Sequence, residues 1–207
     1  MTHEEMDLNS PDKRRTYWVV LILNALLAAG FLSSGIIADS NALLANGLDN
    51  TSDAAVYALS LLALTRSRAC KRGAAKVSGT MLLIFAGMVV IDAVRRYSTG
   101  SEPIGWTMIV MAIIAAAINL LSLYLLKRLE HNDVNLRAAI TFSFNDFVAN
   151  GGIIIAGVLI YLTDSNLPDL IVGAAVAGIA AYGGIDILKD AHMDKHDEDG
   201  TTHKSGS

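Results

Sequence analysis

Three aspartates stand where an ionised side chain is costly. Asp49, Asp53 and Asp146 lie inside long apolar stretches, and an Asp at the centre of a membrane helix costs roughly 2.5–3.5 kcal/mol on insertion scales. Asp49 and Asp53 are four residues apart, which puts both carboxyls on one helical face. Amides cluster around them: Asn46 stands three residues before Asp49, Asn50 is beside it, and Asn145 and Asn150 flank Asp146. Asn150, four residues after Asp146, shares its face. Carboxylate and amide oxygens are ligands for a cation, and no Lys or Arg stands mid-stretch to neutralise the carboxylates. Protons or a bound cation must therefore do so, and alternation between the two is the chemistry of a proton-coupled cation carrier. A single buried Asp is as well explained as neutral glue between helices. Three on facing helices favour the cation site. Each asparagine taken singly, Asn24 and Asn119 included, reads first as a structural amide.

The elements that must position these residues are six apolar segments. Their charged or turn-forming borders place them at about 16–38, 42–64, 78–95, 105–126, 138–162 and 168–188. Each is long enough to approach or cross a hydrocarbon core ~30 Å thick, and each should be helical, because irregular backbone leaves unpaired groups in lipid. With ~1.5 Å of rise per residue, Asp53 lies about 18 Å from the outer end of the second helix. Asp146 lies about 13 Å from the inner end of the oppositely directed fifth helix. These are nearly the same depth, with Asp49 one turn nearer the outside. The expected fold is an all-α membrane bundle of six helices over 16–190, preceded by a short tail (1–15) and followed by a disordered His- and Asp-containing tail (191–207).

Composition agrees. Of 207 residues 53% are hydrophobic and only 17% charged, against about 25% charged in a soluble domain. Of the 16 Lys and Arg residues, only Arg95 and Arg96 fall on one side of the bundle. The other fourteen fall on the side that carries both termini, so the positive-inside rule puts the termini in the cytoplasm. Basic patches interleaved with aromatics are missing, which argues against nucleic acid. The lone Cys70 makes no internal disulfide and reads as an ordinary loop cysteine. The small residues of the sixth segment, from Gly173 to Gly184, allow close helix packing and carry no function alone.

The run Ser40-Asn41-Ala42-Leu43-Leu44-Ala45-Asn46-Gly47-Leu48-Asp49-Asn50-Thr51-Ser52-Asp53-Ala54 resembles the second helix of the cation diffusion facilitator family. Asp49 and Asp53 fall on its two ligand positions, and Asn46 falls where members often carry Asp. The stretch from Asn135 to Asp146 resembles the family's fifth helix, with Asp146 on the final ligand position. Leu167-Pro168-Asp169 resembles the start of its sixth helix. The resemblance implies a six-helix transmembrane domain that exports divalent metal ions, commonly by proton antiport. It departs from the family at three places. Phe142 stands where a fourth ligand, His or Asp, is expected, so Asn145, Asn150, Ser143 or water must complete the set. Ala75 and Lys76 replace an Arg-x-Glu pair. The chain ends soon after the sixth helix, without the cytoplasmic domain that often supports dimerisation, so a homodimer stays open rather than implied.

Family frequency favours Zn²⁺, with Cd²⁺, Co²⁺, Mn²⁺ or Fe²⁺ as alternatives; an all-oxygen site by itself suits harder ions. The cluster from Asp190 to His203 could collect metal, but a solvated tail that binds nothing specific is the expected state. An intramembrane aspartyl protease lacks its "YD" and "GxGD" motifs, and Gly183-Gly184-Ile185-Asp186 is only a distant echo. All five histidines lie outside the segments, which excludes a His-dependent intramembrane hydrolase. The expectation is a transporter and not an enzyme, without cofactor, in a bacterial inner membrane. A non-transporting metal sensor or scaffold is the alternative.

Overall fold

A computed structural model describes residues 11–62, 68–129 and 134–202, which form six α-helices and their connections. These are α1 (Pro11–Ile37), α2 (Asn41–Leu62), α3 (Arg68–Thr99), α4 (Gly105–Lys127), α5 (Val134–Thr163) and α6 (Leu167–Thr202). Five of them are long and apolar enough to cross a membrane; α2 is not among them. Asn41, Asn46, Asp49, Asn50 and Asp53 lower its hydropathy, and the fold accommodates this by surrounding α2 with α1, α3, α5 and α6.

The helix ends follow local chemistry. Pro11 and Pro168 sit in the first turns of α1 and α6, where no N–H is needed. Ser40 caps α2, its Oγ accepting from Leu43 N at 3.1 Å. Gly100, at φ 85°, ends α3 in the left-handed conformation that glycine adopts without strain. Asp39 and Asp164, at φ 50° and 52°, end the first and fifth helices in the same way.

Three short turns gather at one end of the bundle. Ile104 N donates to Ala38 O at 2.9 Å, and Asn166 Nδ2 donates to Ser101 Oγ at 3.0 Å. The start of α1 and the end of α6 therefore share the opposite end. The closest pairs are α3 with α6, α4 with α5, and α1 with α2. Glycines permit this: a Cβ on Gly157 of α5 would fall 2.8 Å from Gly105 O of α4, and one on Gly79 of α3 would fall 3.0 Å from Gly184 O of α6. Likewise, one on Gly173 of α6 would fall 2.2 Å from Asn41 Oδ1 of α2.

The bundle is apolar outside as well as in. Ile36, Ile37, Ile91, Tyr161 and Tyr182 are among its most exposed side chains. Exposed Trp18 and Trp106 stand near opposite ends, as aromatic side chains do at the two faces of a bilayer.

Two boundaries differ from the sequence reading. α3 begins at Arg68 rather than near 78, and α6 runs to Thr202 across residues expected to be disordered. Apolar runs delimit the part of a helix that lies in lipid. The helix itself continues through Lys and Arg, which are good helix formers and meet no barrier in water. Residues 63–67, part of the basic connection before α3, and 203–207, with His203 and Lys204, lie outside the described residues.

Candidate cation site

One face of α2 carries Asn46, Asp49, Asn50, Asp53 and Tyr57, spaced by three and four residues. The facing stripe of α5 carries Ser143, Asp146, Asn150 and Ile153, all buried. Asp53 and Asp146 are buried and Asp49 is half-buried. The Asp146 side chain lies within hydrogen-bonding reach of both Asp49 and Asp53, so carboxyls from two helices meet at one place. Among the described residues, buried Asp146 Oδ2 has no hydrogen-bond donor.

Amides form the outer wall. Asn46 Nδ2 donates to Asn150 Oδ1 at 3.1 Å, and Asn150 Nδ2 donates to the Asp146 carbonyl at 2.8 Å. Asn50 Nδ2 donates to Asn46 O at 2.9 Å. These bonds turn the Asn46 and Asn50 carbonyl oxygens into the interior with no donor of their own. Buried acceptors left unpartnered are costly, and carboxylate and amide oxygens of this kind have electron pairs that a cation could satisfy.

The floor of the site is aromatic. Tyr57, one turn beyond Asp53, hydrogen-bonds Ser143 of α5. It meets Tyr17 of α1 edge to face, with ring centroids 5.9 Å apart. Val20, Leu61 and Leu126 complete a dry cluster around the two rings. Leu27, Phe31, Leu43, Met108 and Ile153 make a second one toward the end bearing the three turns. The carboxyls thus sit between two apolar plugs.

The structure brings together Asp49, Asp53, Asp146, Asn46 and Asn150. Asn145 is not with them: it is exposed, because a neighbour on a helix points about 100° away. Phe142 stands one turn before Asp146 on α5. Among the described residues, no three His, Cys, Asp or Glu side chains are spaced to hold a metal ion as they stand.

A second polar cluster was not singled out from the sequence. Asp169, fully buried on α6, accepts from Ser40 Oγ at 2.5 Å, Asn41 N at 2.7 Å and Ala42 N at 3.0 Å. It caps α2 from another helix. Beside it Arg96 pairs with Asp92 and with the Asp39 carboxylate, and donates to Asp39 O at 2.7 Å. The available signals were Ser40 immediately before α2 and an Asp directly after Pro168, both marks of helix starts.

The profile of the cation efflux transmembrane domain matches residues 17–193. The chain is 23% identical over 190 residues to the cadmium, cobalt and zinc/H(+)-K(+) antiporter of Bacillus subtilis, covering 83% of this chain and 61% of that protein. It is 28% identical over 182 residues to the zinc transporter ZitB of Escherichia coli, covering 80% and 58%. The ZitB of Pectobacterium atrosepticum is 22% identical over 204 residues, covering 92% and 63%. The chain thus spans about three fifths of the length of these relatives. With nearly the whole bundle inside the matched range and the paired aspartates of α2 facing Asp146, the chain belongs to the cation efflux, or cation diffusion facilitator, family.

Proposed function

We propose that this protein carries divalent metal cations out of the cytoplasm in exchange for protons, using Asp49, Asp53 and Asp146 as the shared site. The observation that carries this reading is the meeting of three carboxyls from α2 and α5 away from any basic partner. Among the described residues, the ion pairs are those of Arg95 and Arg96 with Asp92 and Asp39. Carboxyls within reach of one another and without a basic partner need protons or a cation between them. A cation that enters must release those protons, and protons that return must release the cation. Such coupled groups titrate as a set. Asn46 and Asn150 hold the outer wall and offer amide oxygens as the carboxylates rearrange around the ion.

Zn²⁺ is the favoured substrate, because the names of the relatives above share zinc. Cd²⁺, Co²⁺, Mn²⁺ and Fe²⁺ are the alternatives. The termini-bearing end, which holds most of the Lys and Arg, is assigned to the cytoplasm of a bacterial inner membrane. The relatives are named as a zinc transporter and a cation antiporter, which supports reading the protein as a carrier rather than an enzyme.

The test is uptake of Zn²⁺, Cd²⁺, Co²⁺ and Mn²⁺ into proteoliposomes under a pH gradient, with Asp53→Ala as control. Gradient-driven uptake of one ion, lost in the variant, is expected. Phe142 at the fourth ligand position favours one other reading, a metal sensor or scaffold. Binding of an ion without flux in the folded protein would establish that reading and reject the carrier.

A further inference from the structure

A groove of about 610 Å³ opens between α3 and α6, lined by Lys76, Thr80, Ile185, Leu188, Lys189 and His192. Its place in the bundle is defined by the apolar spans: Lys76 is the second residue of the 75–99 span, and Lys189 is the last of the 167–189 span. Both ammonium groups therefore stand at the same membrane boundary. Lys76, Lys189 and His192 are exposed, and neither lysine forms an ion pair among the described residues. Among the described residues, no acidic side chain lines the groove. At that same end, Arg128 is already engaged, stacked 4.4 Å over the Tyr124 ring.

The deep wall is apolar and firm. A Cβ on Gly79 would fall 2.9 Å from Leu188 Cγ and 3.0 Å from Gly184 O, so α3 and α6 touch directly beneath the lysines. From Ile185 the apolar surface continues into the membrane through exposed Tyr182 and Ile179. A ligand that suits this groove has an anionic head at the boundary and a hydrocarbon tail beneath it.

We propose that the α3–α6 groove binds an anionic phospholipid, with its phosphodiester between Lys76 and Lys189 and an acyl chain along Ile185 and Leu188. Thr80 adds a donor at the rim. Lysines near a membrane surface attract anionic lipid, and two of them on one headgroup correspond to a preference on the order of tenfold or more over a zwitterionic lipid. The cation site takes no part in this binding.

Delipidated full-length protein in neutral detergent, titrated with phosphatidylglycerol or phosphatidylcholine and read by native mass spectrometry, tests the proposal. Phosphatidylglycerol should bind about tenfold tighter, and the Lys76→Ala/Lys189→Ala variant should lose that preference while Lys76→Arg/Lys189→Arg keeps it. Each exposed single variant, Lys76→Gln or Lys189→Gln, should lose part of it, which keeps the test open if the double variant folds poorly. Millimolar inorganic phosphate should not displace the lipid. An unchanged preference in the alanine and glutamine variants, equal binding of both lipids by wild type, or displacement by phosphate alone would overturn the assignment. Metal flux is not read, so the outcome is separate from that of the transport assay.

Discussion

Two acidic clusters in this bundle are built from the same residue type and behave as opposites. At the end bearing the three turns, each of three aspartates has donors: Asp169 has Ser40 and two backbone N–H groups, and Asp39 and Asp92 have Arg96. At mid-depth, Asp49 and Asp53 reach Asp146 and Asp146 reaches back, with one of its oxygens unpartnered. Burial does not separate the two clusters. Asp169, at 0% exposure, is more deeply enclosed than Asp53 at 8%. The supply of fixed donors separates them. A carboxylate matched by donors is held in one charge state and serves as a structural part. One matched only by other carboxyls needs a mobile partner, and that need is what a carrier uses.

The sharpest break of this contrast is substitution in the mid-depth cluster. Asp146→Ala should reduce pH-driven metal uptake in proteoliposomes to the level of protein-free vesicles, while gel-filtration behaviour and helix content stay those of wild type. Uptake at the wild-type rate would remove Asp146 from the site. Asp169→Ala should do the reverse. It strips the Ser40 hydroxyl and the buried N–H groups of Asn41 and Ala42 of their acceptor, each loss costing about 1–3 kcal/mol. The stability measured by denaturant or thermal unfolding should fall, with transport per folded molecule retained.

Arg96→Gln comes next. It leaves Asp92 and Asp39 without their cation, but the Asp39 side chain is half exposed. Water therefore offsets part of the loss, and about 1–2 kcal/mol of stability should disappear. The smallest effects lie on α5, where neighbouring asparagines should differ. Asn150→Ala removes the bond to Asn46 and should weaken the apparent metal affinity. Asn145→Ala, on the exposed face, should change stability by no more than about 0.5 kcal/mol and leave affinity alone. Equal losses from both would mean that the face of α5 has been misassigned.

Much of the site was legible because its residues violate an expectation. Aspartates in apolar runs are conspicuous, and their spacing alone put Asp49 and Asp53 on one face and Asp146 at a matching depth. The face of Asn145 was open to the same spacing argument, since a residue one step from Asp146 cannot share its direction. The outer cluster was harder to see. Asp39, Asp92, Arg96 and Asp169 lie near helix ends, where charged residues are ordinary and need no partner to explain them. What makes them a unit is contact between positions more than 50 residues apart, such as Arg96 with Asp39 and Asp169 with Ser40. No periodicity records that.

Local rules were enough for the number of helices, for the shared face of Asp49 and Asp53 and for the turn-forming ends. Helical period, apolar length and the behaviour of Ser, Gly and Pro act within a few residues of each position. Tertiary structure alone decided how α2 is enclosed. It placed Gly173 against Asn41, set Asp169 across the start of α2, and bonded Asn46 of α2 to Asn150 of α5. Those are agreements between surfaces far apart in the chain. They determine which carboxylates find fixed donors and which do not.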